Sequence, residues 1–280
     1  MPHGYADLHL HTVASDGTQT LSQLVSRARA CALTTIAITD HDTIPSELTA
    51  RAATVEGMEI ITGVELKADF DTVQGEILGY FVDPQNAELK DLLAWMADER
   101  TKRMDAMVAR CREEAGLPLQ IADIRAVAQG NLGRPHLAQV LVAAGVVDSF
   151  REAFSRFLGR GRPCYVPLAK PDYRDALRIV HDAGGVASLA HPCLMKVDDW
   201  DGFLDLLAAD GLDGIEAIYP YESVERGLTV APPLMRTMAE KRGFLVTGGS
   251  DDHGPDSTKE SLGSIRLPQD LVEALRARAG

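Results

Sequence analysis

Short apolar runs alternate with apolar residues at helical spacing along the first third of the chain. The runs predict strands over residues 5–9, 34–39, 58–64 and 75–81. The spaced residues predict a helix after Thr20, whose hydroxyl suits an N-cap, and a second helix over 46–55. Strands that alternate with helices are typical of a parallel α/β arrangement.

From residue 86 onwards the pattern indicates helices only. It predicts one long helix over 86–115 and three shorter helices, near 121–129, around Pro135 and after Ser149. No strand is indicated across about 75 residues. We therefore predict a helical insertion over 100–165 within an α/β domain formed by 1–99 and 166–280. A second independent domain is the alternative.

The alternation of strands and helices resumes after this region. Helices are predicted over 172–183, 199–209, 232–242 and 269–278. Strands are predicted over 186–190, 215–218 and 244–246. The two flanking parts of the chain therefore share one pattern, which favours an insertion over a second domain.

The first predicted strand carries the motif Asp7-Leu8-His9-Leu10-His11. Alternate residues of a strand face the same side, so Asp7, His9 and His11 can converge on one point. Two imidazoles and a carboxylate are good ligands for a divalent cation. The alternative is a polar strand end with hydrogen-bonded histidines.

The same residue types recur where later strands are predicted to end, and the carboxyl edge of a parallel barrel is where active sites are built. The candidate metal ligands are His9, His11, Asp16, His41, Glu65, His191, Asp251 and His253. His3 and His181 are interpreted as bystanders, one in the N-terminal tail and one on a helix. The eight candidates suffice for two to three divalent ions with shared carboxylates. Histidines mixed with carboxylates favour Mn²⁺, Zn²⁺ or Fe²⁺ over Mg²⁺ or Ca²⁺.

Composition narrows the class of partner. The chain has 28 Lys and Arg against 41 Asp and Glu, a net charge of −13, which argues against non-specific binding to duplex nucleic acid. The four cysteines form no CxxC pair, so we expect free thiols in a cytoplasmic protein. No signal peptide or membrane-spanning run is recognised, and no obligate protein partner is inferred.

The motifs together resemble the PHP family, named for polymerase-associated and histidinol phosphatase domains. The similarity rests on the Asp-x-His-x-His start and on Ser15-Asp16-Gly17, Asp40-His41-Asp42, Gly63-Val64-Glu65, Ala190-His191-Pro192 and Ser250-Asp251-Asp252-His253. It covers the α/β part, near residues 4–83 and 165–265. The resemblance implies a distorted, TIM-like (β/α)₇ barrel, the PHP fold, carrying a phosphoesterase site with two or three metal ions, Mn²⁺ favoured and Mg²⁺ among the alternatives.

The resemblance also implies roles for single residues. His9, His11, Glu65 and Asp251 would hold one ion, Asp16, His41 and His253 another, and Glu65 with His191 a third or bridging position. Asp16, His41, Glu65 and His253 would be the catalytic group, and Asp7 and Asp40 would support the ligands from behind. One departure is visible: many family members have a histidine just before Leu-Gly-Tyr, whereas this chain reads Gly75-Glu76-Ile77-Leu78-Gly79-Tyr80. That position is either weak or served by another group such as His136.

Cations gather in and just after the predicted insertion. Gly133-Arg134-Pro135-His136 is followed by Arg160, Arg162 and Lys170. One interpretation is surface charge; the other is phosphate recognition, because guanidinium groups bind phosphate oxygens bidentately. The arrangement is similar to a PHP subgroup whose members act on 3′,5′-nucleoside bisphosphates or on short RNA from the 5′ end. By that similarity Arg134, His136 and Lys170 would contact substrate phosphate.

The leading hypothesis is therefore a metal-dependent phosphatase that acts on a nucleotide or a very short RNA. A histidinol-phosphatase-like enzyme, a degenerate structural module of a polymerase and a metal-dependent amidohydrolase are the alternatives.

Overall fold

One mixed sheet with surrounding helices forms the frame of the protein. The computed structural model describes residues 4–71, 73–223 and 227–280; the predicted bystander His3 lies outside them. The strands are β1 (Tyr5–Leu10), β2 (Leu33–Ile38), β3 (Ala52–Val55), β4 (Met58–Phe70), β5 (Val73–Tyr80), β6 (Val186–Leu189), β7 (Gly214–Ile218), β8 (Leu245–Gly248) and β9 (Leu267–Pro268). The helices are α1 (Leu21–Ala30), α2 (Ala87–Ala115), α3 (Ile121–Val127), α4 (Arg134–Ala143), α5 (Phe150–Ala153), α6 (Tyr173–Asp182), α7 (Trp200–Ala209), α8 (Pro232–Lys241) and α9 (Gln269–Ala279).

The sheet curls into a nearly closed barrel. Its nine strands include the path β8-β7-β6-β5-β4-β2-β1-β9, with β3 paired to β4 alone. The ends approach each other where Leu10 bridges to Asp252 and the His11 amide donates to the Asp252 carbonyl at 3.0 Å. This architecture confirms the predicted α/β barrel, whose wall is made by β1, β2 and β4 to β8.

The alternation of strands and helices predicts a wholly parallel wall. The wall is in fact mixed. β5 runs antiparallel to both β4 and β6. β4 continues to Phe70 because it pairs with β5 along most of its length, so Glu65 lies inside the strand and not at its end.

The predicted helix over 46–55 is wrong. Its second half is β3, which forms a hairpin with β4 through Glu56 and Gly57. Both turn residues have positive φ, 50° and 80°, which suits the tight turns that join two strands. The β-branched pair Thr54 and Val55 favours extended backbone, which outweighs the helical spacing of the apolar residues before it.

Helix α1 illustrates how local sequence sets an element boundary. The Thr20 hydroxyl accepts the Gln23 amide at 3.4 Å, and the Gln23 side chain accepts the Thr20 amide at 2.9 Å. This capping box satisfies two amides that the first helical turn leaves without partners. Leu24, Val25 and Ala28 then face the barrel and are buried, as their spacing predicts.

The helices after β5 build a second apolar cluster. The end of α2 joins α3, α4 and α5 around buried residues that include Met104, Val108, Ile124 and Leu141. The start of α2 packs instead on the barrel core through Leu89. These helices agree with the predicted elements, while the insertion boundaries at 100 and 165 stay a prediction. No helix in the described ranges is long and apolar enough to cross a membrane.

Candidate metal centre

The eight predicted ligands come together at one mouth of the barrel. β1 delivers His9, the residue after its end is His11, the turn that follows delivers Asp16, and the segment after β2 delivers His41. β4 delivers Glu65, and the segments after β6 and β8 deliver His191, Asp251 and His253. Their side chains form three overlapping groups.

The first group contains His9, His11, Glu65 and Asp251, all at most 1% exposed. The His9 Nε2 atom lies 3.3 Å from Glu65 Oε2 and 3.7 Å from Asp251 Oδ1. The His11 Nε2 atom lies 3.4 Å and 3.2 Å from the same two oxygens. Two nitrogens and two oxygens at these separations can surround one cation.

The second group contains His11, Asp16, His41 and His253. Asp16 Oδ1 lies 3.4 Å from His253 Nε2 and 4.0 Å from His41 Nε2. The rings of His11 and His253 are stacked with centroids 4.1 Å apart. His11 therefore stands between the first and second groups.

The third group contains a residue that the sequence analysis did not select. Glu76 on β5 has Oε1 at 3.5 Å from His41 Nδ1 and Oε2 at 3.5 Å from His191 Nε2. His191 Nε2 also lies 3.0 Å from Glu65 Oε1. Glu76 thus stands in the stretch where the family histidine is missing. None of the potential metal-binding groups among the described residues contains His136.

Buried atoms without hydrogen-bond partners test whether cations fit here. Most such side-chain atoms in the described part of the chain belong to the candidate ligands: His9 Nε2, both ring nitrogens of His11, Asp16 Oδ1, His41 Nδ1, Glu65 Oε2 and Asp251 Oδ1. A buried polar atom without a partner costs about 1–3 kcal/mol. Divalent cations among these nitrogens and oxygens would satisfy them, so the residues fit the metal ions that the motifs imply.

The electrostatics of the centre favour the metal-binding forms of Glu65 and His11 but not of every histidine: burial opposes the charge of His9, His41 and His191, yet nearby carboxylates outweigh it and raise the pKa of all three. Burial opposes ionisation of Glu65, but the charges of His41 and His9 outweigh it and hold the pKa of Glu65 well below its usual value. Burial and repulsion from His253 lower the pKa of His11 to about 3. Carboxylate and neutral imidazole are the ligand forms that a cation requires, so metal binding would release protons from the protonated histidines.

Asp7 and Asp40 accept hydrogen bonds from the ligand loops, and neither belongs to a potential metal-binding group among the described residues. Asp7 accepts the Ser250 amide at 2.8 Å, and burial raises the pKa of Asp7 to about 7. Asp40 accepts the amide and hydroxyl of Thr12 at 2.8 and 2.7 Å and the Ser15 hydroxyl at 2.5 Å. These bonds fix the turn that carries Asp16.

Glu216 on β7 is a second residue that the sequence analysis missed. Its Oε1 accepts a hydrogen bond from His9 Nδ1 at 2.8 Å, and its Oε2 accepts the His191 amide at 2.7 Å. Both acceptors are thereby used inside a fully buried site. A proton held on His9 Nδ1 leaves Nε2 free to bind a cation, which is the usual support for a metal-binding histidine.

A lysine and a tyrosine flank Asp251. Lys259 pairs with Asp251 Oδ2, and the Tyr219 hydroxyl donates to the same oxygen at 2.8 Å. Burial opposes the charge on Lys259, but Asp251 outweighs it and raises the pKa of that lysine. Asp251 Oδ1 remains directed at His9 and His11.

The three predicted substrate contacts lie at different places. His136 Nδ1 accepts the Gly133 amide at 3.1 Å and so caps α4. Arg134 lies over the Phe154 ring, with Cζ 5.2 Å from its centroid. Lys170 Nζ donates to the Ala68 carbonyl at 3.1 Å. Arg134 and His136 share a helix start, whereas Lys170 lies against β4.

Comparison with known proteins assigns this centre to a family. The model of the PHP domain matches residues 7–156, more than half of the chain and most of the candidate ligands. The chain belongs to the PHP domain family. PHP relatives include a 5′-3′ exoribonuclease of Haemophilus influenzae, 36% identical over 66% of this chain and 68% of its own length.

Two further relatives match over most of the chain. A 3′,5′-nucleoside bisphosphate phosphatase of Chromobacterium violaceum is 29% identical over 92% of this chain and 90% of its own length. A phosphoribosyl 1,2-cyclic phosphate 1,2-diphosphodiesterase of Eggerthella lenta is 31% identical over 94% and 98%. A solved structure from Bifidobacterium adolescentis, described as a metal-dependent phosphoesterase, has a TM-score of 0.84 and 30% identity, and covers 99% of this chain and 97% of that one. We conclude that this chain has the PHP barrel and belongs to the metal-dependent phosphoesterases.

Proposed function

We propose that this PHP protein hydrolyses a phosphate monoester of a nucleotide, with the 3′-phosphate of nucleoside 3′,5′-bisphosphates as the preferred target and the 5′-monophosphate as product. The observation that carries the proposal is the set of buried ligand atoms without hydrogen-bond partners at the mouth of the barrel. Helix α4, which begins at Arg134, borders that mouth. The similarity to the bisphosphate phosphatase supports this substrate class.

The proposed centre holds two to three divalent ions, Mn²⁺ first among the candidates, on His9, His11, Asp16, His41, Glu65, His191, Asp251 and His253, with Glu76 added by the structure. Such ions supply Lewis acidity for phosphate-ester hydrolysis when they are bound. Among these residues we assign the catalytic roles to Asp16, His41, Glu65 and His253, as the family resemblance implies; His41 and Glu65 each belong to two of the groups.

The chain's own cations would orient the substrate. Arg134 can donate a bidentate pair of hydrogen bonds to phosphate oxygens, and a fixed donor beside the reacting group stabilises charge that develops there. His136 and Lys170 are proposed to complete the contacts. The helical region over 100–165 is proposed as the part that recognises substrate, in a protein of the cytoplasm.

A short 5′-phosphorylated RNA is the second candidate substrate. The observation that favours it is the 36% identity to the exoribonuclease, the highest of the relatives reported above. A short RNA also presents phosphates at fixed spacing, so the same cations suit it.

The test compares kcat/KM for adenosine 3′,5′-bisphosphate, the two adenosine monophosphates, a short 5′-phosphorylated RNA and histidinol phosphate. We expect the bisphosphate to lead, because binding energy from a non-reacting phosphate can orient the reacting one. Equal values for bisphosphate and monophosphate would remove the argument for two phosphates. A lead for histidinol phosphate would favour a histidinol-phosphatase-like enzyme.

Arg134→Ala gives the matching test in the protein. Loss of a charge-assisted contact costs about 1.5–3 kcal/mol, so kcat/KM should fall by about one to two decades with metal content unchanged. Parent-like turnover would reduce Arg134 to a structural residue. Loss of metal would show that Arg134 supports the ligands.

A further inference from the structure

A lysine side chain reaches into the third group of potential metal ligands. Lys67 lies two residues after Glu65 on β4, so the two side chains point to the same face of the strand. The antiparallel register places Lys67 directly opposite Glu76 of β5. The Lys67 ammonium pairs with Glu76 Oε1, the oxygen that also faces His41. A cation of the chain itself therefore lies at a group that could hold a metal ion.

The backbone fixes the position of Lys67 as well as the ion pair does. The Lys67 amide donates to Asp42 Oδ1 at 2.9 Å, and the other oxygen of Asp42 pairs with the buried Arg100. Opposite charges directly across an antiparallel pair of strands attract each other. The side chains of Lys67 and Glu76 are 25% and 17% exposed, so dissolved salt screens this attraction only in part. The ammonium is therefore held at the mouth of the barrel.

The buried atoms without hydrogen-bond partners separate the third group from the first two. Among the candidate ligands, such atoms lie on residues of the first or second group: His9, His11, Asp16, His41, Glu65 and Asp251. Glu76 and His191, which belong to the third group alone, supply none within the described ranges. Glu76 Oε1 has the Lys67 ammonium, and His191 Nε2 lies in a hydrogen bond of 3.0 Å with Glu65 Oε1. Metal ions would satisfy the first two groups, whereas the ligands particular to the third already have partners.

We propose that the Lys67 ammonium takes the place of a third metal ion, so that this centre binds two divalent ions per chain. A divalent ion beside Glu76 would be repelled by the ammonium and would have to displace it from the carboxylate. Lys67 is thereby the residue that sets the number of ions. This inference rests on the proposed metal centre and narrows its ion count, and it does not depend on which phosphate ester is the substrate.

The experiment counts the metal ions in protein that has been loaded with excess Mn²⁺ and then separated from unbound metal. Elemental analysis should give two ions per chain for the parent and for Lys67→Arg, which keeps the positive charge. Lys67→Met removes the charge at similar length and leaves Glu76 free to bind, so its count should rise to three. Lys102→Met is the matched control, since it removes an exposed lysine that pairs with Glu99 at 2.7 Å on α2, and its count should stay at two.

Two further measurements make the count decisive. Calorimetric titration of the metal-free protein with Mn²⁺ includes ions that are too weakly bound to survive separation, and circular dichroism reports whether each variant folds. Three ions in the parent, or two in a folded Lys67→Met, would overturn the role of Lys67. Should Lys67→Met fail to fold, anomalous scattering from Mn²⁺-loaded crystals of the parent decides. Peaks at the first two groups alone would support the inference, and a peak within bonding distance of Glu76 would overturn it.

The ion count also separates this inference from the proposed function. Two ions in the parent and three in Lys67→Met, without turnover of any phosphate ester, would sustain the role of Lys67 and reject the proposed function. Turnover of the bisphosphate by a parent that holds three ions would sustain the proposed function and reject the role of Lys67. Fewer than two ions in the parent would overturn this inference together with the proposed metal centre.

Discussion

Replacing Glu216 by glutamine is the sharpest test of how the metal centre is held. Both carboxylate oxygens of Glu216 accept hydrogen bonds, one from His9 Nδ1 at 2.8 Å and one from the His191 amide at 2.7 Å. Glutamine keeps the shape but has one acceptor oxygen, so one buried donor must face an NH₂ group. An unsatisfied buried donor costs about 1–3 kcal/mol.

That cost should appear as weaker metal binding. Loss of a residue that orients a ligand lowers metal affinity by about 10- to 100-fold, or about 1.4–2.7 kcal/mol. Competition with a chromogenic chelator measures it directly, without substrate. Glu59→Gln makes the same chemical change at a residue near the start of β4 that pairs with Arg276 at 2.6 Å, and should bind metal like the parent. A folded Glu216→Gln with parent affinity would refute the orienting role.

Three further results are expected. The purified protein should hold at least two divalent ions by elemental analysis, lose activity to a chelator, and lose it most completely in Glu65→Gln, because that carboxylate lies between His9, His41 and His191. Arg100→Ala should destabilise the protein by about 3–5 kcal/mol in denaturant unfolding, because it leaves the buried Asp42 charge without its partner; a loss below about 1 kcal/mol would contradict this. The hydrogen bond to Asp213 raises the pKa of His181 above 6.5, so its contribution to stability is complete below that pH and is lost at higher pH. The difference in Tm between the parent and His181→Gln should therefore shrink between about pH 5.5 and about pH 9.

The sequence alone located the metal-site candidates because strand geometry limits where ligands can lie. His9 and His11 alternate along one strand, and histidines or carboxylates follow the other strands at their ends, so their convergence could be predicted. Most helices were also predictable, since Thr20 caps its helix as expected and the helix predicted over 86–115 is present, with Asn86 as its cap. These features depend on residues that are close together along the chain.

Residues that reach the site through long-range pairing could not be found in this way. Glu76 lies opposite Lys67 only because β5 runs antiparallel to β4, whereas a parallel arrangement had been predicted. Its signal was its position next to the missing histidine. Glu216 is a single carboxylate on an apolar strand, and it has no local pattern that separates it from surface charge.

The length of α2 determines how the helical cluster is held relative to the barrel. The helix has 29 residues, which corresponds to about 43 Å. Its first half packs on the barrel core through Leu89, and its second half packs in the helical cluster through Met104 and Val108. Arg100 fastens the middle of the helix to Asp42. A helix that is anchored in two cores and tied to the barrel between them is held rigidly, so we expect the helical cluster to keep one orientation relative to the metal ligands.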